Sequence, residues 1–243
     1  MFDHVGIRVS DRDASRRFYE CVLEPLGHRL THPSEHYDEW DDFGIAQADS
    51  HRPVTRRLHV AFVAVSTDAV DAFWRVGTAA GYRSDGEPGP RPVYHDGYYG
   101  AFLLDPDGNS VEAVHHGWTR RGPNVVDHLW VRVGDVGAGR AFYATIAPVL
   151  GLRVRDGREG RVHVEGEDRS LTLLEGTPTE HLHIAFHAPD DATVDAFHRA
   201  ALDAGYRDNG EPGERIEYHA GYYGAFVLDP DGTNVEAVCH NRP

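Results

Sequence analysis

The feature that most constrains this 243-residue chain is an internal repeat at a constant offset of 124 residues. Residues 58–62 (LHVAF) return as 182–186 (LHIAF), and 94–102 (YHDGYYGAF) as 218–226 (YHAGYYGAF). Residues 103–114 (LLDPDGNSVEAV) return as 227–238 (VLDPDGTNVEAV). His4 pairs with His128, His59 with His183 and Glu112 with Glu236 at the same separation. Self-similarity over a domain-sized span means that one folding unit was duplicated. We expect a first domain over 1–116, a linker over 117–124 (GWTRRGPN), rich in breakers and charge, and a second domain over 125–243.

Inside each half the hydrophobic period switches between two and 3.6. In residues 3–9 (DHVGIRV), Val5, Ile7 and Val9 share one face and His4, Gly6 and Arg8 the other, as in a half-buried strand. A helix follows: Ser10 is a suitable N-cap, Ala14, Phe18, Val22 and Leu23 recur at helical spacing, and Gly27 lies past the end. Leu58 to Val65 reads as a strand, and Val70, Phe73, Trp74 and Gly77 line a helix that stops at Gly81. Residues 101–104 and 110–114 read as strands joined by Asp105-Pro106-Asp107-Gly108, in which Pro presets φ and Gly accepts a positive φ. Each half is therefore strand, helix, several strands, and the same again: four βαβββ modules in all.

The formal charge of −15 works against nucleic acid or an anionic membrane as partner, because both require a basic face. No apolar run approaches the roughly 20 residues that span a bilayer, and Met1 leads directly into a strand pattern; a cytoplasmic location is expected. Cys21 and Cys239 form no CxxC pair and read as reduced structural thiols. All 24 basic residues are Arg, so Schiff-base lysine chemistry is excluded. A small-molecule substrate is the partner left.

The opening strand with His4, the LHVAF segment with His59, and the closing YHDGYYGAFLLDPDGNSVE ending at Glu112 resemble the vicinal oxygen chelate superfamily of glyoxalases, extradiol dioxygenases, fosfomycin resistance enzymes and bleomycin-binding proteins. The resemblance covers nearly the whole chain. It implies an α+β fold in which four βαβββ modules form two glyoxalase-like domains with cupped antiparallel or mixed sheets. It further implies a divalent metal (Fe2+, Mn2+, Ni2+ or Zn2+) held in the cup by His4, His59 and Glu112 and by His128, His183 and Glu236. Two imidazoles and a carboxylate leave other metal positions open for water, substrate or dioxygen. His4 and His59 lie on strand faces opposite the aliphatic residues, and Glu112 alternates against Val111 and Ala113, so the three can share a cavity. Equally, His4 could join His183 and Glu236 while His128 joins His59 and Glu112; the sequence leaves both pairings open, and a pseudo-dimeric monomer or a homodimer would allow either.

Gln47 and Glu175 fall where glyoxalases draw a fourth ligand. His95 and His219 are candidate proton carriers, and Tyr98, Tyr99, Tyr222 and Tyr223 candidate substrate contacts. Arg8 and Arg132 share the ligand face of their strands and could meet an anionic group or a cavity carboxylate. Phe102 and Phe226 stand where extradiol dioxygenases carry a catalytic Tyr, which counts against catechol ring cleavage. The halves also differ: Gly6 becomes Trp130, Val63 becomes His187 and Asp96 becomes Ala220. The expected function is a metal-dependent lyase, isomerase or oxygenase acting on a small oxygen-chelating metabolite; the alternative is a non-catalytic drug- or metabolite-binding protein.

Overall fold

The structure is a computed structural model that describes residues 1–118 and 124–241. Of the expected linker, residues 119–123 lie outside the described residues. The first module is β1 (Phe2–Val9), α1 (Arg12–Leu23), β2 (His32–Pro33), β3 (Tyr37–Trp40) and β4 (Phe43–Gln47). The second is β5 (His59–Val63), α2 (Thr67–Ala79), β6 (Ser84–Pro90), β7 (Tyr99–Leu104) and β8 (Ser110–His115). The third is β9 (Val126–Val133), α3 (Val136–Ile146), β10 (Arg153–Asp156), β11 (Val162–Glu165) and β12 (Ser170–Glu175). The fourth is β13 (His183–His187), α4 (Asp191–Asp203), β14 (Arg207–Glu214), β15 (Tyr222–Leu228) and β16 (Asn234–His240). The expected order of strand, helix and three strands is thus met four times.

Two eight-stranded mixed sheets result, in the orders β14-β15-β16-β13-β1-β4-β3-β2 and β10-β11-β12-β9-β5-β8-β7-β6. The chain divides into two compact units, Gly6–Leu129 and Met1–Val5 with Trp130–Pro243. Gly6–Leu129 is the central unit, and the two outer segments make up the terminal unit. The boundaries between the units fall within β1 and within β9.

In the central unit α1 lays Phe18, Tyr19, Val22 and Leu23 against the sheet, all fully buried with Trp40, Phe43 and Phe62. Tyr19, Phe43 and Phe62 meet as tilted and edge-on rings, with Tyr19–Phe43 centroids 4.9 Å and Phe43–Phe62 centroids 5.0 Å apart. Each such side chain stabilises the fold by about 1.5–3 kcal/mol through area removed from water. The terminal unit repeats the arrangement with Phe142, Tyr143 and Ile146 of α3. Asp11, not Ser10, is the N-cap of α1: its carboxylate accepts from Ala14 N, while Ser10 N donates to Asp107. A carboxylate one position closer to the first turn satisfies the same orphan donor and also faces the positive helix end. At the turn after β7, Gly108 N donates to Asp105 O at 3.0 Å and Gly108 adopts φ +86°.

Candidate metal centres

In the central unit β5 and β8 run parallel with Ala61 opposite Glu112 and His59 opposite Ser110. Residues two apart on a strand share a face, so His59 and Glu112 project to the same side. His128, on the part of β9 that belongs to this unit, completes a trio. His59 Nε2 lies 3.0 Å and His128 Nε2 3.5 Å from Glu112 Oε2. In the terminal unit β13 and β16 repeat the register, Ala185 opposite Glu236, and His4 of β1 supplies the second imidazole. His4 Nε2 is 3.1 Å from His183 Nε2 and 3.7 Å from Glu236 Oε2, and His183 Nε2 is 3.1 Å from Glu236 Oε2. Of the two pairings open to sequence, the geometry therefore groups His4 with His183 and Glu236, and His128 with His59 and Glu112. Both carboxylates are 1% exposed, so each anion is out of water and depends on these partners.

A tyrosine orients each carboxylate. Tyr98 Oη donates to Glu112 Oε1 at 2.7 Å, and Tyr222 Oη to Glu236 Oε1 at 2.7 Å, leaving Oε2 to the imidazoles. The Tyr98 ring packs on Ala61 and Val114, the Tyr222 ring on Ala185 and Val238. Burial, with Glu112 second, lifts the Tyr98 hydroxyl far above its usual range, so it remains a donor. Tyr99 and Tyr223 instead donate to Asp71 and Asp195 of the helices at 2.9 Å.

Behind one imidazole of each trio stands an aspartate that sequence reading missed. Asp127 Oδ1 accepts from His128 Nδ1 at 2.7 Å, and Asp3 Oδ1 from His4 Nδ1 at 2.9 Å. A carboxylate on Nδ1 fixes the ring orientation, makes the ring more basic and, with a cation bound, would select the tautomer that ligates through Nε2. Burial alone would raise the Glu112 carboxyl, but hydrogen bonds with His128 and His59 hold it down to about 2. Burial would likewise lower the His128 imidazolium, yet Asp127 and Glu112 raise it to about 9.

The chain of contacts continues outward. Asp127 also accepts from His116 Nε2 at 3.0 and 3.1 Å, His116 Nδ1 meets His95 Nε2 at 2.8 Å, and His95 Nδ1 donates to the Asp96 carbonyl at 2.7 Å. The outer nitrogens of the pair face oxygen acceptors, and the inner two share a hydrogen bond. Trp118 stacks on both rings, with centroids at 5.2 and 5.3 Å. The terminal unit repeats the series as Asp3, His240, His219 and the Ala220 carbonyl. Because the outermost bond is to a main-chain oxygen, exchange of Asp96 for Ala220 leaves it intact. His95 and His219 thus reach the trios through two intervening side chains.

Gln47 is engaged at the corner between β1 and α1: Oε1 accepts from Arg12 N at 3.0 Å and Nε2 donates to Ser10 O at 2.9 Å. Among the described residues Glu175, exposed at the end of β12, belongs to neither trio. Arg8 donates to the Gln47 carbonyl at 3.5 Å. Arg132 is exposed and its side chain lies against Gly176. Trp130 is half-buried beneath the Arg161 guanidinium, 4.8 Å from the ring centroid, and His187 is exposed, 3.9 Å from Asp3.

The family model for the Glyoxalase/Bleomycin resistance protein/Dioxygenase superfamily matches residues 1–113 and again 125–237. The chain belongs to this superfamily. It is similar to the Bacillus subtilis (strain 168) protein YqjT, 32% identical over 128 residues that make up 46% of this chain and 95% of that protein. A Brassica oleracea var. gemmifera protein named "Putative lactoylglutathione lyase" is 29% identical over 164 residues, 63% of this chain and 55% of that protein. In fold the chain is similar to the V278E variant of glyoxalase I from Zea mays, with TM-score 0.71, 20% identity, and coverage of 98% of this chain and 92% of that one. No helix among the described residues is long and apolar enough to cross a membrane.

Proposed function

We propose that this superfamily member is a divalent-metal enzyme with a centre in each unit, acting on a small metabolite that offers adjacent oxygens. The observation that carries the reading is the convergence, twice, of two imidazole Nε2 atoms and one buried carboxylate oxygen, with an aspartate behind one ring. Two neutral nitrogens and an anionic oxygen fit a borderline cation such as Fe2+, Mn2+, Ni2+ or Zn2+. A bound cation supplies Lewis acidity toward a chelating oxygen pair.

The chain's own groups orient that chemistry. Tyr98 and Tyr222 hold the carboxylates, Asp127 and Asp3 hold the imidazoles, and the His95–His116 and His219–His240 pairs hold the aspartates. We assign the reaction to the lyase or isomerase class. Phe102 lies opposite Glu112 and Phe226 opposite Glu236 in register, and neither offers a hydroxyl to a dioxygen-derived group. The name of the Brassica relative points the same way.

The test is elemental analysis of purified protein together with turnover of a glutathione hemithioacetal. Two metal equivalents per chain, activity lost on chelation and restored by metal, and metal loss in Glu112→Gln and Glu236→Gln are expected. Protein without stoichiometric metal, whose ligand binding survives these substitutions, would instead be a sequestering protein.

A further inference from the structure

The ligands of the two centres are the same, but what stands behind the second imidazole is not. In the central unit His59 Nδ1 lies 3.2 Å from Ser110 Oγ, and Ser110 Oγ lies 2.8 Å from Asp85 Oδ2. The Asp85 carboxylate only accepts, so the Ser110 hydroxyl donates to it and its lone pair receives the His59 Nδ1 hydrogen. That arrangement orients the ring so that Nε2, which faces Glu112 Oε2 at 3.0 Å, would offer its lone pair to a bound cation, and it places a negative charge behind the ring.

The repeat carries both positions to asparagine in the terminal unit: Ser110 becomes Asn234 and Asp85 becomes Asn209. His183 Nδ1 sits 2.9 Å from Asn234 Nδ2, a donor, and 3.2 Å from the Asn234 main-chain oxygen. Asn209 Nδ2 donates to Asn234 Oδ1 at 2.9 Å. As oriented, the Asn234 amide nitrogen suits a lone pair on Nδ1, while the Asn234 main-chain oxygen suits an Nδ1 hydrogen and the tautomer that ligates through Nε2; both partners are uncharged. Turning both amides over would let Asn234 Oδ1 accept instead, but the support would remain uncharged.

We propose that the two centres are unequal, with the central-unit centre of His59, Glu112 and His128 binding a divalent cation more tightly because both of its imidazoles are backed by carboxylates, through Ser110–Asp85 and through Asp127. Among the described residues the terminal-unit centre has one such backing, Asp3 behind His4. This inference rests on the metal reading above. Loss of one outer partner typically weakens metal affinity by about 10–100-fold, and that is the gap expected between the centres.

The test is calorimetric titration of metal-free full-length chain with Mn2+ alone. Glu236→Gln isolates the central-unit centre and Glu112→Gln the terminal-unit one. The first variant should bind one Mn2+ about 10–100-fold more tightly than the second. Asp85 is exposed, so Asp85→Asn in the otherwise unaltered chain should fold normally and lose the tighter step, and Asn209→Asp with Asn234→Ser should strengthen the weaker one. Equal affinities, or an Asp85→Asn titration with its tighter step unchanged, overturn the inference while leaving the metal reading in place. Binding of no Mn2+ by the unaltered chain overturns both.

Discussion

Replacing Tyr98 with Phe removes a single hydroxyl and nothing else, because the ring is fixed by Ala61 and Val114. That hydroxyl donates to a buried carboxylate at 2.7 Å. A hydrogen bond to a charged group contributes about 1.5–3 kcal/mol, and without it Glu112 Oε1 is left in a site that water does not reach. Converted at 1.36 kcal/mol per pKa unit, this should raise the Glu112 carboxyl by about one to two units from its value near 2. The sign of the pH dependence follows. A depressed folded-state carboxyl contributes stability that is present above its unfolded value of 4.5 and lost as pH falls through the folded value. The deficit of Tyr98→Phe should therefore be full at pH 7 and close as pH approaches 2. The assay is urea unfolding of metal-free protein, so that bound cation does not mask the difference, with Tyr222→Phe as a second test on Glu236. Tyr99→Phe is the control: its hydroxyl bonds Asp71 at the surface and should cost under about 0.5 kcal/mol. If Tyr98→Phe costs no more than Tyr99→Phe at pH 7, the hydroxyl does not orient Glu112 and the account of the trio fails at that point.

Two further perturbations probe the neighbourhood. A Cβ at Gly100 would stand 2.5 Å from Glu112 Oε1 and 3.3 Å from the Tyr98 ring, and one at Gly224 would stand 2.7 Å from Glu236 Oε1. Gly100→Ala must push aside the oxygen that Tyr98 holds, so a loss of about 1–3 kcal/mol in unfolding and weaker Mn2+ binding are expected; an alanine variant with wild-type values would show unused room there. Asp229 tests burial without the trio: burial lifts its carboxyl to about 6 against 3.8 unfolded, so the wild type loses stability as pH rises from about 4 to 6. Asp229→Asn, which keeps the acceptor for Asp231 N and Thr233 N, should be more stable than wild type at pH 8 by up to about 3 kcal/mol. That advantage should vanish below pH 4, and a gap that does not change with pH would refute the burial argument.

The duplication, the module order and the six polar residues that converge in the two trios were legible because each has a local signature: a fixed offset, a switch of hydrophobic period, or a polar residue on the open face of a strand. Grouping of the ligands was not. His4 and His128 are the same residue in the same motif, so either could join His59 and Glu112; only the placing of β1 beside β13 and β9 beside β5 decides, across 179 residues between His4 and His183. Asp3 and Asp127 were hidden by the rule that revealed their neighbours. Period two sends the residue before a ligand to the opposite face, yet a short carboxylate can reach around the strand to the Nδ1 of the next residue. Gln47 is engaged away from the trio for a related reason: its amide finds main-chain partners where β1 leads into α1.

The two halves differ behind the candidate ligands and not at them. Both copies retain the two imidazoles, the carboxylate, its tyrosine, the glycine that leaves room for the carboxylate oxygen, and the aspartate–histidine series leading outward. Divergence appears at Trp130 for Gly6 and at the Asp85–Ser110 pair, which becomes Asn209–Asn234. A change of ligand would alter whether a cation binds at all; a change behind a ligand alters how strongly the ring donates and in which tautomer it waits. A duplicated chain can therefore keep two intact trios and still fill them in sequence. Under limiting metal, occupancy would then be decided by one exposed carboxylate, Asp85, that touches no ligand directly.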